Sequence, residues 1–158
     1  MLGKKESIAT DSIFSLVYED LPDSVDWTAQ PGIVNPVQNQ GSCGSCWSFS
    51  SAAAMESSHA ILTGELLKLS EQQLIDCDTQ SHDCKGGLEI YAFSYAEDHA
   101  VTLNSTYPYT GKKGTCNDSG VEGKVTVTDY KQLEKENREV LKTALVSKPT
   151  CVSINANS

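Results

Sequence analysis

The sequence predicts an α+β chain in which helices come first and strand character rises only near the end. Three observations carry this. A helical pattern starts at Cys46, directly after a loop of small residues. Ser70-Glu71-Gln72-Gln73 reads as a capping box at the head of a second, short helix. Val125-Thr126-Val127-Thr128 alternates with the period of a strand.

Element by element, residues 1–20 are polar and aperiodic and read as a flexible lead-in. Leu21-Pro22 opens a more structured stretch, and Pro31-Gly32 and Asn35-Pro36 mark turns. Gln40 to Ser45 is the small-residue loop. The first helix runs from Cys46 to about Leu62, with Phe49, Ala53 and Ala54 on one face and Glu56 and Ser57 elsewhere; Thr63-Gly64 ends it. Ser70 caps the second helix, about Glu71 to Cys77, with Gln73 reaching back. Gly86-Gly87 breaks the chain before a third helix, about Leu88 to Asp98, whose shared face is Leu88, Ala92 and Tyr95. After the strand at Val125–Thr128 comes a charged amphipathic helix, about Glu134 to Ser147, with Val140, Leu141, Ala144 and Leu145 inward. Cys151-Val152-Ser153-Ile154 looks like the start of a strand. No internal repeat or low-complexity tract interrupts this order.

Composition excludes several classes. The 158 residues carry 12 basic and 21 acidic side chains, a formal net charge of −9. Nucleic-acid binding wants a basic patch, and none appears. No apolar run approaches the ~20 residues that span a membrane, and the first twenty residues show no signal-peptide core. A chain of this length buries roughly 70% of its unfolded surface as one domain. It also has the length of half of a two-domain enzyme.

Six cysteines, Cys43, Cys46, Cys77, Cys84, Cys116 and Cys151, hint at disulfides and an oxidising compartment. Asn104-Ser105-Thr106 and Asn117-Asp118-Ser119 match the N-glycosylation acceptor pattern and point the same way. An even count need not mean three bridges, because one cysteine can be a nucleophile. The candidate is Cys46. At the first turn of a helix it sits in the partial positive field of unpaired N–H groups, which favours the nucleophilic thiolate. Gln40 lies six residues earlier, on a loop able to fold back. Its amide and the Cys46 N–H are suited to donate to a developing oxyanion. Two other readings stand beside this one. Cys43-Gly44-Ser45-Cys46 is also a C-x-x-C redox pattern, which leaves Gln40 and the later cysteines unexplained. Zinc binding lacks a second close cysteine pair.

In Gln40-Gly41-Ser42-Cys43-Gly44-Ser45-Cys46-Trp47-Ser48-Phe49-Ser50 the chain resembles the papain-like cysteine proteases. Pro22, Asp26-Trp27, Pro36-Val37, Ser70-Glu71-Gln72, Asp76-Cys77, Cys84-Lys85-Gly86-Gly87 and Tyr107-Pro108-Tyr109 extend the resemblance from about Leu21 to Ala156. It implies a papain-like fold whose mostly helical left lobe is complete, over 21–132, and whose β-barrel right lobe is truncated, over 133–158. Residues 1–20 would then be the tail of a propeptide. It implies a thiol peptidase that forms an acyl-enzyme, with Cys46 as nucleophile and Gln40 as oxyanion donor. It implies disulfides Cys43–Cys84 and Cys77–Cys116, each contributing roughly 3–4 kcal/mol by loop entropy. Gly86 and Gly87 would line the substrate cleft, the Gly87 backbone pairing with an extended peptide. Leu88, Glu89 and Ser153 would form the wall of the S2 subsite. Glu89 departs from the commoner apolar choice and puts a purely hydrophobic preference in doubt. Cys151 has no partner in the family and reads as a small buried residue or a free thiol. No metal or cofactor is implied. The expected partners are peptide or protein substrates and a propeptide or cystatin-like inhibitor, for a monomer in a lysosome or vacuole or outside the cell.

A thiolate protease also needs a base. In the family it is a later histidine, oriented by an asparagine, and neither motif occurs here. His59 lies thirteen residues after Cys46 on the same helix, roughly 20 Å away. His99 ends a different helix, and the resemblance would put His82 near the outer cleft, away from Cys46. The chain alone is therefore expected to be inactive. The alternative is a non-catalytic truncated paralogue that binds peptides or protease inhibitors.

Overall fold

The structure is a computed structural model that describes residues 21–155. The lead-in or propeptide reading of residues 1–20 lies outside the described residues. Four α-helices follow in order: α1 (Cys46–Thr63), α2 (Glu71–Cys77), α3 (Glu89–Asp98) and α4 (Arg138–Ser147), with short 3₁₀ turns at Trp27–Ala29 and Asp118–Gly120. α1 ends where Gly64 turns left-handed (φ 79°) and donates its N–H to the Ala60 carbonyl at 2.8 Å. α3 starts one residue later than the sequence predicts, with Leu88 as its N-cap. α4 starts four residues later. Glu136 has φ 61°, which no helix interior tolerates, and Asn137 Oδ1 caps the helix by accepting from the Val140 N–H at 3.1 Å.

α1 packs against both α2 and α3. Trp47, Ala52 and Met55 of α1 meet Leu74 and Ile75 of α2 and Ala92 and Ala96 of α3 in one core cluster, joined by Leu69, Val101 and Val125. The inward face of α1 is not the predicted one. Ala53 is exposed and Phe49 and Ala54 are half-buried, while Ser48, Ser51, Glu56 and Ser57 are buried. Ser48 and Ser51 enter because backbone carbonyls at the start of the helix satisfy their hydroxyls. Ser48 Oγ donates to Ser45 O at 2.9 Å and Ser51 Oγ to Trp47 O at 2.7 Å. On α3, Ala92 and Ala96 are fully buried, whereas Leu88 is left 46% exposed. On α4, Ala144 is buried and Val140, Leu141 and Leu145 are half-buried. Trp27 Nε1 donates to Leu145 O at 2.7 Å and holds the start of the described chain against α4.

Strand pairing is confined to isolated bridges among the described residues: Gly44 with Lys85, Leu69 with Leu103, and Val101 with Val125. The strand predicted at Val125–Thr128 therefore shrinks to one bridge. Val101 and Val125 exchange N–H···O bonds of 2.8 and 3.1 Å, but the next inward donor, Val127 N–H, turns to Ala96 O at the end of α3. The predicted strand at Cys151–Ile154 does not form either. No described neighbour pairs with it, and Val152 and Ile154 are 56% and 83% exposed.

The capping box forms only in part. Ser70 Oγ accepts from Gln73 N–H at 2.9 Å, but Gln73 does not reach back. Thr102 O already accepts the Ser70 N–H at 2.9 Å. The Gln73 amide is thus free to hold the 100–102 segment, donating to Tyr95 OH and Ala100 O and accepting from Thr102 N–H. Residues 107–116 wrap α2 in the same manner. Asp76 accepts from Tyr107 OH at 2.9 Å and from Gly114 N–H at 2.6 Å, and the Cys77–Cys116 disulfide closes the wrap. Burial, then the Asp76 carboxylate, pushes the Tyr107 phenol up to about 12.

The most demanding buried group is Glu56, 2% exposed. Its Oε1 accepts from Leu69 N–H at 2.8 Å and from Lys68 Nζ at 3.2 Å, and its Oε2 from Asn35 Nδ2 at 2.9 Å. Lys68 also pairs with the buried Glu71. Removing this carboxylate leaves the buried Leu69 N–H without an acceptor and takes one of two acceptors from Lys68 and from Asn35. Glu56→Ala is expected to lower unfolding free energy by about 3–5 kcal/mol in urea titration, whereas a loss below about 1 kcal/mol would show that the site relaxes around the gap.

Candidate active site

The described residues place Cys46 at the first position of α1, exposed, with a thiol that forms no hydrogen bond to them. The loop before it is held from two sides. Cys43 is bonded to Cys84 with Cα atoms 4.6 Å apart, and Gly44 N–H donates to Cys84 O at 2.9 Å. A Cβ on Gly44 would meet that carbonyl oxygen at 2.6 Å, so only glycine permits the approach. From the other side Tyr109 OH donates to Gln40 O at 2.6 Å and lies 2.9 Å from Ser45 Oγ, while its ring packs edge-on against Phe49 at 4.9 Å. Gln40 is half-buried, and its Nε2 donates to Cys43 O at 2.9 Å. An amide nitrogen carries two hydrogens, so one remains for another acceptor. Because Cys43 pairs with Cys84, the C-x-x-C redox pair with Cys46 does not form.

The Gly86-Gly87 segment lies beside this loop. His82 N–H donates to Gly86 O at 2.8 Å and closes a tight turn. Gly87 is pressed against Trp47, where a Cβ would stand 2.7 Å from Cδ2 and 2.6 Å from Ser81 Oγ. Trp47 Nε1 donates to Asp83 O at 3.0 Å, so the residue after the candidate nucleophile also fixes the glycine turn. Leu88 follows, exposed, and Glu89 opens α3, half-buried. Cys151 packs on the same helix as Cys46, its Sγ donating to Ser50 O at 3.3 Å. Burial raises its thiol, and the Glu89 charge adds to the rise. Ser153 lies two residues beyond, exposed.

None of the three histidines bonds to Cys46. His59 is half-buried far along α1, its Nε2 without a partner among the described residues. His82 is exposed. His99 stacks on Tyr95 at 4.7 Å and places Nδ1 3.0 Å from Asp118 Oδ2. Cys77, Cys116 and Asp118 converge as a possible metal cluster, but the two sulfurs are bonded to each other. Sequence reasoning gave Tyr109 no role. Its distance of 69 residues from Gln40 hides the contact, and a tyrosine behind a proline carries no signal of where its hydroxyl points.

The family model described as papain family cysteine protease matches residues 21–158. Zingipain-2 of Zingiber officinale is 42% identical over 139 residues, covering 87% of this chain and 62% of that protein. The crystal structure of the Carica candamarcensis cysteine protease CMS1MS2 in complex with E-64 aligns with TM-score 0.76 and 41% identity, over 80% of this chain and 60% of that one. The ragweed pollen allergen Amb a 11, a cysteine protease solved in its proform, aligns with TM-score 0.78 and 39% identity, over 87% and 42%. The chain thus spans less than two thirds of the length of each.

The two free thiols differ in access: Cys46 is exposed, and Cys151 is half-buried, with burial raising its thiol. Iodoacetamide at pH 8 is expected to alkylate Cys46 at least about tenfold faster than Cys151, as followed by peptide mass mapping over time. Equal rates would mean that Cys151 is not held in the protein interior.

Proposed function

The chain belongs to the papain family of cysteine proteases, and we propose that it supplies the nucleophile side of a peptide-bond hydrolase. The observation that carries this is an exposed, unbonded Cys46 at a helix start, with the Gln40 amide tied into the same loop. In this reading Cys46 Sγ attacks the scissile carbonyl carbon. The Cys46 N–H and the remaining Gln40 N–H bind the oxygen as it becomes an anion. The amine leaves with a proton, and water then hydrolyses the thioester. The substrate would run extended along Gly86-Gly87, with Leu88, Glu89 and Ser153 around the side chain before the scissile residue. The acidic Glu89 would admit a basic side chain there. The imidazole that takes the thiol proton must come from a histidine other than His59, His82 and His99, since none of these bonds to Cys46.

Peptide substrates, a propeptide of the kind present in the Amb a 11 proform, and small inhibitors such as E-64 are the expected partners of this cleft. The two disulfides suit a vacuolar or extracellular setting, and no described helix is long and apolar enough to cross a membrane. That no imidazole reaches Cys46 favours a second reading for the 158 residues by themselves, a chain that binds peptides or inhibitors without cleaving them.

Purified as it stands, the chain is expected to give no Cys46-dependent cleavage of a fluorogenic peptide. Fused to the part of zingipain-2 that the match leaves uncovered, it should cleave. Cys46→Ala should abolish that activity, and Gln40→Ala should lower kcat about 10²–10³-fold. Turnover by the chain alone, or a folded fusion that stays inert, would overturn the proposal.

A further inference from the structure

Two Asn-x-Ser/Thr triplets are present, and the fold treats them differently. Asn104 is half-buried beside the first turn of α2. Its backbone N–H donates to Lys68 O at 2.9 Å, and its Nδ2 donates to Glu71 Oε2 at 3.3 Å, on a carboxylate only 1% exposed. A sugar on that nitrogen would have to enter space already filled by the start of α2. Asn117 is exposed, directly after the cross-linked Cys116 and ahead of the turn Asp118–Gly120. Its side chain makes no cap bond to that turn and no other hydrogen bond to the described residues. The carboxamide lies over Gly120, where an added Cβ would come within 2.8 Å of Nδ2, so glycine leaves it room. Ser119, which supplies the hydroxyl of the triplet, is exposed, as is every residue from Lys112 to Asn117.

We propose that Asn117 is a site of N-linked glycosylation and that Asn104 is not. The oxidising compartment that the two disulfides suit is also where such sugars are attached and tolerated on surface loops. The donor class is a lipid-diphosphate-linked oligosaccharide. Asn117 Nδ2 bonds to the anomeric carbon, the bond from that carbon to the diphosphate oxygen breaks with its electron pair staying on the diphosphate, and Nδ2 gives up one proton. Nothing is oxidised or reduced. Transfer after the 104 segment has closed onto α2 finds only Asn117 in solvent, and this is the order the proposal requires.

The test is to express the full 158-residue chain behind a cleavable secretory leader in a eukaryotic host and map the product by mass. Peptide-N-glycosidase should remove one oligosaccharide and leave aspartate at position 117, with the Asn104 peptide unmodified. Ser119→Ala should abolish the glycan while keeping the asparagine, Ser119→Thr should keep it, and Asn104→Gln should leave it unchanged. Cys46→Ala should carry the same glycan, so the outcome is separate from that of the peptidase reading. A secreted product bare at Asn117, or one modified at Asn104 to the same extent, would overturn the proposal.

Discussion

The crossing of residues 43–45 with residues 84–87 is the constraint on which the candidate site depends. It combines a covalent link, a backbone hydrogen bond and a contact that only glycine allows, all within a few residues of Cys46. The disulfide closes a separation of 41 residues, contributing about 4 kcal/mol by loop entropy. Its second effect is positional. With Cys43 and Gly44 anchored, the start of α1 at Cys46 is held against the 84–87 segment. Trp47 extends the same constraint to Gly87, so Cys46 and the glycine turn share one support.

Behind that surface the interior is unusually polar for a small core. All of α2 is buried, including Glu71, Gln72, Gln73 and Asp76, and Glu56 joins them from α1. Burial of such groups is tolerable only when each finds partners. Here the partners are loop backbone: Gln72 with 110–112, Gln73 with 100–102, Asp76 with 114, and Glu56 with 69. Loops that would otherwise be loose are thereby fixed by side chains of a seven-residue helix. The regular sheet that a larger domain would use for this purpose is absent among the described residues.

This explains which parts were readable in advance. Helix starts and stops are local signals, so α1 and α2 came out close to their true limits from Ser45-Cys46, Gly64 and Ser70. The placement of Cys46 at a helix start with Gln40 in the loop before it, and the cysteine pairs, were legible because the motif around them is dense and its family order specific. The inward face of α1 was not, since serine and glutamate read as outward residues unless their distant acceptors and donors are known. α4 was misplaced at its start because Glu134 to Glu136 look helical by composition, while the capping role of Asn137 depends on the turn before it. Tyr109 and the released Gln73 both act across many residues, and no spacing rule reports such contacts.

The presence of two free thiols near the start of α1 raises the question of why chemistry should select one. Both Cys46 and Cys151 touch α1 near its beginning, yet they meet opposite conditions. Cys46 is exposed at the N-terminal end of α1 and makes no hydrogen bond to the described residues. Cys151 is half-buried, its Sγ donating to the Ser50 carbonyl one turn further on, and burial, then the Glu89 charge, opposes its ionisation.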